Sequence, residues 1–200
     1  MKKNLLTIYG VITILIMCIS PTLYSQSVYK IYESKDIDMK LSGTSTLHKW
    51  TMEAKTFDGD GQFNFKPGTA DILTSIKNLN FSLAVQDLKS GEKGLDKNAY
   101  KALKSDQYKD IDYKLTSATV GTGAGNKYMV KTQGNLTIAG VTKPILMDIS
   151  CVINKDGTIT CSGSYKLEMT DYKVTPPTFM LGAMKTGDAI TLDFILVYKK

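Results

Sequence analysis

Residues 145–169 read ILMDISCVINKDGTITCSGSYKLEM, and their reading decides the fold. Ile145, Met147, Ile149, Cys151 and Ile153 share one phase, and Ile159, Cys161, Gly163, Tyr165, Leu167 and Met169 share another. Side chains on a strand alternate between two faces, so each run has one dry face and one wet one. Between the runs, Asn154-Lys155-Asp156-Gly157 has the form of a type I turn followed by a glycine able to take the left-handed conformation. Counting outward from a loop of Lys155, Asp156 and Gly157 pairs Asn154 with Thr158, Ile153 with Ile159 and Cys151 with Cys161.

The same alternation recurs on either side. Ile111, Tyr113 and Leu115 alternate with Asp110, Asp112 and Lys114, and Ile190, Leu192, Phe194, Leu196 and Tyr198 hold one phase near the C-terminus. Further strand-like segments lie near 28–33, 37–45, 47–55, 61–66, 75–86, 127–138 and 143–154. Half-wet strands of this kind build antiparallel sheets, and enough of them in succession form a sandwich or a closed barrel. The expectation is an all-β chain, with Asp96–Ser105 as the exception: Asp96 caps a short helix that turns Ala99, Tyr100 and Leu103 inward. Turns are expected at Asp58-Gly59-Asp60-Gly61, Lys66-Pro67-Gly68, Gly121–Gly125 and Thr186-Gly187-Asp188.

The 200 residues are about one domain's worth of chain, and 42% hydrophobic content suffices for a packed core. All 25 basic residues are lysine, spread along the strands. Without arginine the chain lacks the planar fork that grips phosphate or a guanine edge, which argues against nucleic acid as a partner. Lys2 and Lys3, the apolar run Leu5–Ile19 and the small residue Ser25 read as a secretion signal peptide over residues 1–25, with the barrel domain over 26–200. The run is shorter than the roughly 20 residues that span a bilayer, so no stable membrane insertion is expected. Cys18 follows the bulky Met17, a poor context for lipid attachment. Periplasmic or secreted localisation follows.

With Cys18 gone, the facing pair Cys151 and Cys161 is a disulfide candidate outside the cytoplasm, or else two buried thiols acting as small hydrophobes. The single histidine, His48, excludes a two-histidine zinc site and leaves only one imidazole to activate a nucleophile. His48 shares a phase with Trp50 and Met52, which would turn it toward the dry face. No metal, cofactor or catalytic residue is expected.

Four segments carry a resemblance. They are GTSTLHKW from Gly43, LDKNAYKALKSDQYKDIDY from Leu95, GNLTIAGVTKPILMDI from Gly134 and MTDYKVTPPTFMLGAMKTGDAITLDF from Met169. Together they resemble the YceI-like, polyisoprenoid-binding family over nearly the whole exported chain, LTIAGVTKP being the most specific piece. Gly140 and Pro144 fit a tight reversal there. The resemblance implies an extended antiparallel lipocalin-like β-barrel of about eight strands, a size whose interior is filled by its own side chains or holds one small ligand. It further implies a non-enzymatic protein with an isoprenoid or other long-chain lipid as partner.

Inward phases and the resemblance together give the residues expected to face that ligand: Ser45, His48, Trp50, Phe63, Phe81, Tyr113, Leu136, Tyr165 and Phe194. Small residues at Gly43, Ser45, Gly134 and Gly163 favour a cavity, whereas Phe63, Phe65, Phe81 and Phe194 would plug it. The rival expectation is therefore an envelope interaction module with a filled core that binds partners through loops such as Tyr172–Met184. The oligomeric state stays open, a homodimer included.

Overall fold

A computed structural model describes residues 28–32, 35, 37–54, 56–69, 72–179 and 182–200. The expected signal peptide, Cys18 included, lies outside them. The strands are β1 (Val28–Ile31), β2 (Asp38–Ser45), β3 (Lys49–Ala54), β4 (Asp58–Phe65), β5 (Leu73–Ala84), β6 (Asp110–Val120), β7 (Lys127–Ile138), β8 (Val141–Ile153), β9 (Ile159–Glu168), β10 (Thr178–Phe179) and β11 (Met184–Lys199). A helix, α1 (Lys93–Ala102), sits between β5 and β6.

Eight of these strands close an antiparallel ring in the order β1, β4, β5, β6, β7, β8, β9, β11 and back to β1. Closure is made where Ile31 meets Tyr198 and Val28 meets Gln62. β2 continues along the same edge of β11, with Phe194 opposite Met39 and Ile190 opposite Gly43, and β3 folds back onto β2. The fold is thus the expected all-β, lipocalin-like barrel with a short helix, and the β2–β3 hairpin lengthens its wall beyond the ring. A closed ring leaves few edges for another chain to pair with.

Both strand phases of residues 145–169 turn into the barrel, with Cys151 opposite Cys161 and Ile153 opposite Ile159. The loop chemistry sets that register: Gly157 takes φ 82°, its N–H donates to the Asn154 carbonyl at 3.0 Å, and Asn154 N–H donates to Thr158 O at 2.8 Å. β5 departs from simple alternation. Asn78, at φ 50°, lies in a bulge between the pairs Asp60–Asn80 and Gln62–Lys77. The extra residue keeps Ile76 and Leu79 both buried although they stand three apart.

Several local expectations are corrected. The 58–61 and 186–188 segments are strand rather than turn, within β4 and β11. Gly59 and Gly61 are in the strand because Ile31 and the Phe63 ring pack where a Cβ would stand, at 2.6 and 3.0 Å. The β7–β8 reversal is made by Ala139 and Gly140, both at positive φ (48° and 77°), as a two-residue hairpin requires. Pro144 lies past it, in β8 opposite Asn135. Its nitrogen there points away from β7, toward an edge that β9 does not pair, so the missing N–H leaves no gap in the ladder.

The helix starts at Lys93, three residues earlier than expected, because Asp96 does not stand at the cap. Its carboxylate instead accepts from the Ser90 N–H and hydroxyl, both at 2.7 Å. Leu95, Ala99, Ala102 and Leu103 form the inward stripe. Tyr100 stays half-buried, its hydroxyl donating to the Leu88 carbonyl at 2.7 Å.

Candidate functional site

The inward phases of β5–β9 and β11, with β2, enclose a narrow cavity of about 100 Å³ inside the barrel. Leu79, Leu83, Ile145, Leu192 and Leu196 are among the apolar groups around it. A second cavity of about 90 Å³ lies under α1 and the β2–β3 hairpin, between Trp50, Met52, Leu95 and Met169. The two share Leu41, Ile111, Ile138 and Leu167 as a common wall. They are two apolar chambers that adjoin across this wall, together called the slot below.

Of the residues expected to face a ligand, Phe81, Tyr113, Leu136, Tyr165 and Phe194 line the first chamber and Trp50 lines the second. Phe63 lines neither. It is 2% exposed and packs edge-on against Tyr29 at 5.4 Å and tilted against Tyr198 at 5.3 Å, in an aromatic cluster beside the chamber. Ser45 and His48 lie at the tip of the β2–β3 hairpin, and the expectation that His48 faces the dry side is corrected: it is exposed in the turn. The Ser45 hydroxyl donates to the His48 main-chain carbonyl at 2.9 Å and accepts the Leu47 and His48 N–H groups, while His48 Nδ1 stands 3.0 Å from Lys49 O. The hydroxyl organises the turn and does not address the imidazole.

The small inward residues do not leave open space. A Cβ at Gly43 would stand 2.3 Å from Trp50, one at Gly134 2.4 Å from Tyr113, and one at Gly163 2.8 Å from Phe194. Each glycine is a bed for an aromatic ring from a neighbouring strand, so the chamber is narrower than counting small residues suggests.

The wall is incomplete on one side. β8 pairs with β7 along nearly its whole length, but with β9 only from Ile149–Gly163 to Ile153–Ile159. Before Ile149 the two strands part, and Ile145, Met147, Tyr165 and Leu167 of the chamber lie along the divergence. Lys143 Nζ and Asp171 of the following turn close an ion pair of 2.8 Å across it. The sequence reading missed Lys143, yet its signal was there, a lysine in phase with Ile145 and Met147 on the dry face of β8. Tyr165 feels this pair. Burial raises its phenol pKa, with the Asp171 charge adding and Lys143 opposing.

Beside the chamber, Cys151 and Cys161 are buried with their Sγ atoms 3.1 Å apart, both as free thiols. Because Asn154–Thr158 exchanges a ladder hydrogen bond, the alternation puts Cys151–Cys161 at a non-hydrogen-bonded pair, where side chains approach most closely. The hydrogen bond to Cys151, together with burial, pushes the Cys161 thiol well above its ordinary range. The Cys161 sulfur is therefore no ready thiolate.

Comparison with solved structures recovers this architecture. A polyisoprenoid binding domain from Saccharophagus degradans implicated in plant cell wall breakdown aligns at TM-score 0.64 and 13% identity, over 86% of this chain and 97% of its own. BcnA of Burkholderia cenocepacia aligns at 0.59 and 18%, over 80% and 95%. A YCEI protein of Campylobacter jejuni aligns at 0.53 and 23%, over 72% and 84%. No curated protein sequence matches the chain. The family model of the YceI-like domain matches residues 34–198, which takes in the ring from β4 onward, the β2–β3 hairpin and the divergent seam. The chain therefore belongs to the YceI-like family.

Proposed function

We propose that this protein is an exported, non-catalytic carrier that holds a long apolar ligand of isoprenoid type inside the barrel. The observation that carries the reading is the apolar slot, whose two chambers share a wall and reach from the β8–β9 seam to the space beneath α1. Polyisoprenoid binding by the Saccharophagus degradans domain supports it. Each buried methylene contributes about 0.8 kcal/mol, so a few isoprene units offset an association cost of about 4–15 kcal/mol. Tail length then dominates affinity.

Each chamber is smaller than the roughly 300–1,000 Å³ of drug-sized ligand sites, so the lumen must widen as the tail enters. Met39 and Met147 in one chamber, with Met52 and Met169 in the other, supply unbranched side chains able to re-pack around a chain. The tail enters where β8 and β9 part, since there no ladder hydrogen bond has to break.

Aromatic rings over the inward glycines favour a second reading, a barrel with a filled core that works through its loops as an envelope interaction module. One experiment separates the two. Lipids are extracted from the natively purified protein and identified by mass spectrometry, and a series of prenyl compounds is titrated by calorimetry. A co-extracted long-chain lipid and affinity that climbs with tail length support the carrier. A clean extract with no length dependence leaves the filled-core module.

A further inference from the structure

Several lysines of the barrel wall meet carboxylates across their ladders. Lys30 lies opposite Asp60, Lys40 opposite Asp193 and Lys131 opposite Asp148, and facing pairs of opposite charge stabilise a sheet. The helix α1 is built differently. Lys93, Lys97 and Lys101 recur every four residues and so stand on one face, with Lys104 just past the helix end. All four are exposed, and among the described residues none of their ammonium groups has an ion-pair or hydrogen-bond partner.

Like charges one turn apart on a helix repel, so this stripe weakens α1 as an isolated element. Leu95, Ala99, Ala102 and Leu103 hold the other face against the second chamber, yet no residue of the helix is buried outright. The lysines also converge. Lys93, Lys97, Lys101 and Lys104 line one open hollow together with Lys89, whose ammonium donates to the Tyr100 hydroxyl at 2.9 Å. Two carboxylates share the hollow, Asp96 and Asp106, and that of Asp96 already accepts from Ser90. Glu92 stands just before the helix. The balance of the face is positive.

We infer that this face of α1 docks the protein on an anionic lipid bilayer, with the second chamber directly behind the contact. A basic face on an amphipathic helix is drawn to the negative potential of such a surface, and each lysine adds to the attraction. The contact is peripheral. The apolar face of α1 is turned into the protein, so the helix lies against the headgroups without inserting. Lysine suits this partner, since an ammonium acts as a point charge toward many headgroups, whereas reading nucleic acid calls for the arginine fork that the chain lacks. The choice of a lipid surface rests on the carrier reading above, which puts an apolar cargo behind the same helix.

The test is co-sedimentation of the natively purified protein with vesicles of phosphatidylcholine, alone or mixed with phosphatidylglycerol. Wild type should bind the mixed vesicles and leave the neutral ones. Raising the salt from about 0.1 M, where the screening length is about 10 Å, to about 0.5 M should release it. Lys97→Gln with Lys101→Gln should lose about tenfold or more in affinity, as expected for two lysines at a charged surface. Lys127→Gln with Lys155→Gln removes the same charge at the far ends of β7 and β8, away from the second chamber, and should bind within about twofold of wild type. All four side chains are exposed, so both double variants keep the fold. Equal loss in the two pairs overturns the docking face, since net charge alone would then account for binding. Wild type that ignores mixed vesicles overturns it too, as does full displacement by a DNA duplex at equal phosphate concentration. Vesicle binding needs no cargo, so a protein that docks through α1 but takes up no prenyl compound would remove the carrier reading and leave the docking face standing.

Discussion

Gly43 lies directly opposite Trp50 in the β2–β3 ladder, and the indole covers it so closely that a Cβ on residue 43 would stand 2.3 Å from the ring. The indole N–H is anchored at 3.0 Å on the Thr44 carbonyl, so the ring cannot swing aside without losing a hydrogen bond. Gly43→Ala should therefore destabilise the fold by about 1–3 kcal/mol, the usual range for overpacking. The fluorescence of the chain's single tryptophan should shift as its ring is displaced. Thermal melts and emission spectra check both, and Gly68→Ala, where no atom lies within 4 Å of the added carbon but φ is 79°, separates packing from backbone strain.

Blocking the slot should abolish its preference for long tails. Leu192 faces the first chamber from β11, and Leu192→Phe extends a ring into a space of about 100 Å³. Long-tailed ligands should then bind no better than short ones, while Leu192→Ala should keep the length dependence. Calorimetry across a prenyl series gives the comparison. Ser45 and Gly134 are poorer places to block, since one organises a turn and the other already lies beneath Tyr113.

The two cysteines should be bonded in protein prepared under oxidising conditions. Their pairing at a close, non-hydrogen-bonded ladder position needs only a small approach of the sulfurs. Closing so short a loop should contribute about 2–3 kcal/mol, if the constraint on the unfolded chain sets the gain. Thiol titration of the denatured, unreduced protein should find none free, and a melt with reductant should fall. Two thiol equivalents would show the pair reduced.

Acid should loosen two turns before the barrel. The Thr170 hydroxyl and N–H hold the Asp188 carboxyl below its ordinary 3.8, and Thr158 does the same for Asp156. A carboxyl with a lowered folded-state pKa contributes stability that is fully present above the unfolded value and is lost as the pH falls through the folded one. Melting temperature should therefore be flat, as far as these groups act, down to about pH 4 and fall below it. The drop should be smaller in Asp188→Asn, whose amide does not titrate.

Sequence alone determined the strands, their buried faces and one register, because period-2 alternation and turn chemistry are local. Asn154 to Gly157 placed Cys151 opposite Cys161, and the phase of Ile145 to Met169 told dry from wet. The same local logic failed at Gly59, Gly61 and Gly187, where glycine signals a close approach by a distant side chain as readily as it signals a turn. His48 was misplaced because phase was carried one residue too far, into the hairpin tip.

Only the tertiary structure decided that β1 closes the ring between β4 and β11, that β8 and β9 part before Ile149, and that aromatic rings lie over Gly43, Gly134 and Gly163. It also decided that Tyr198 is buried against Phe63. The physical reason is common to all of these. Alternation says which face a side chain takes, but the partner strand, the space left after the rings pack, and whether a buried hydroxyl meets an acceptor are set by residues far apart in sequence, once the barrel has closed.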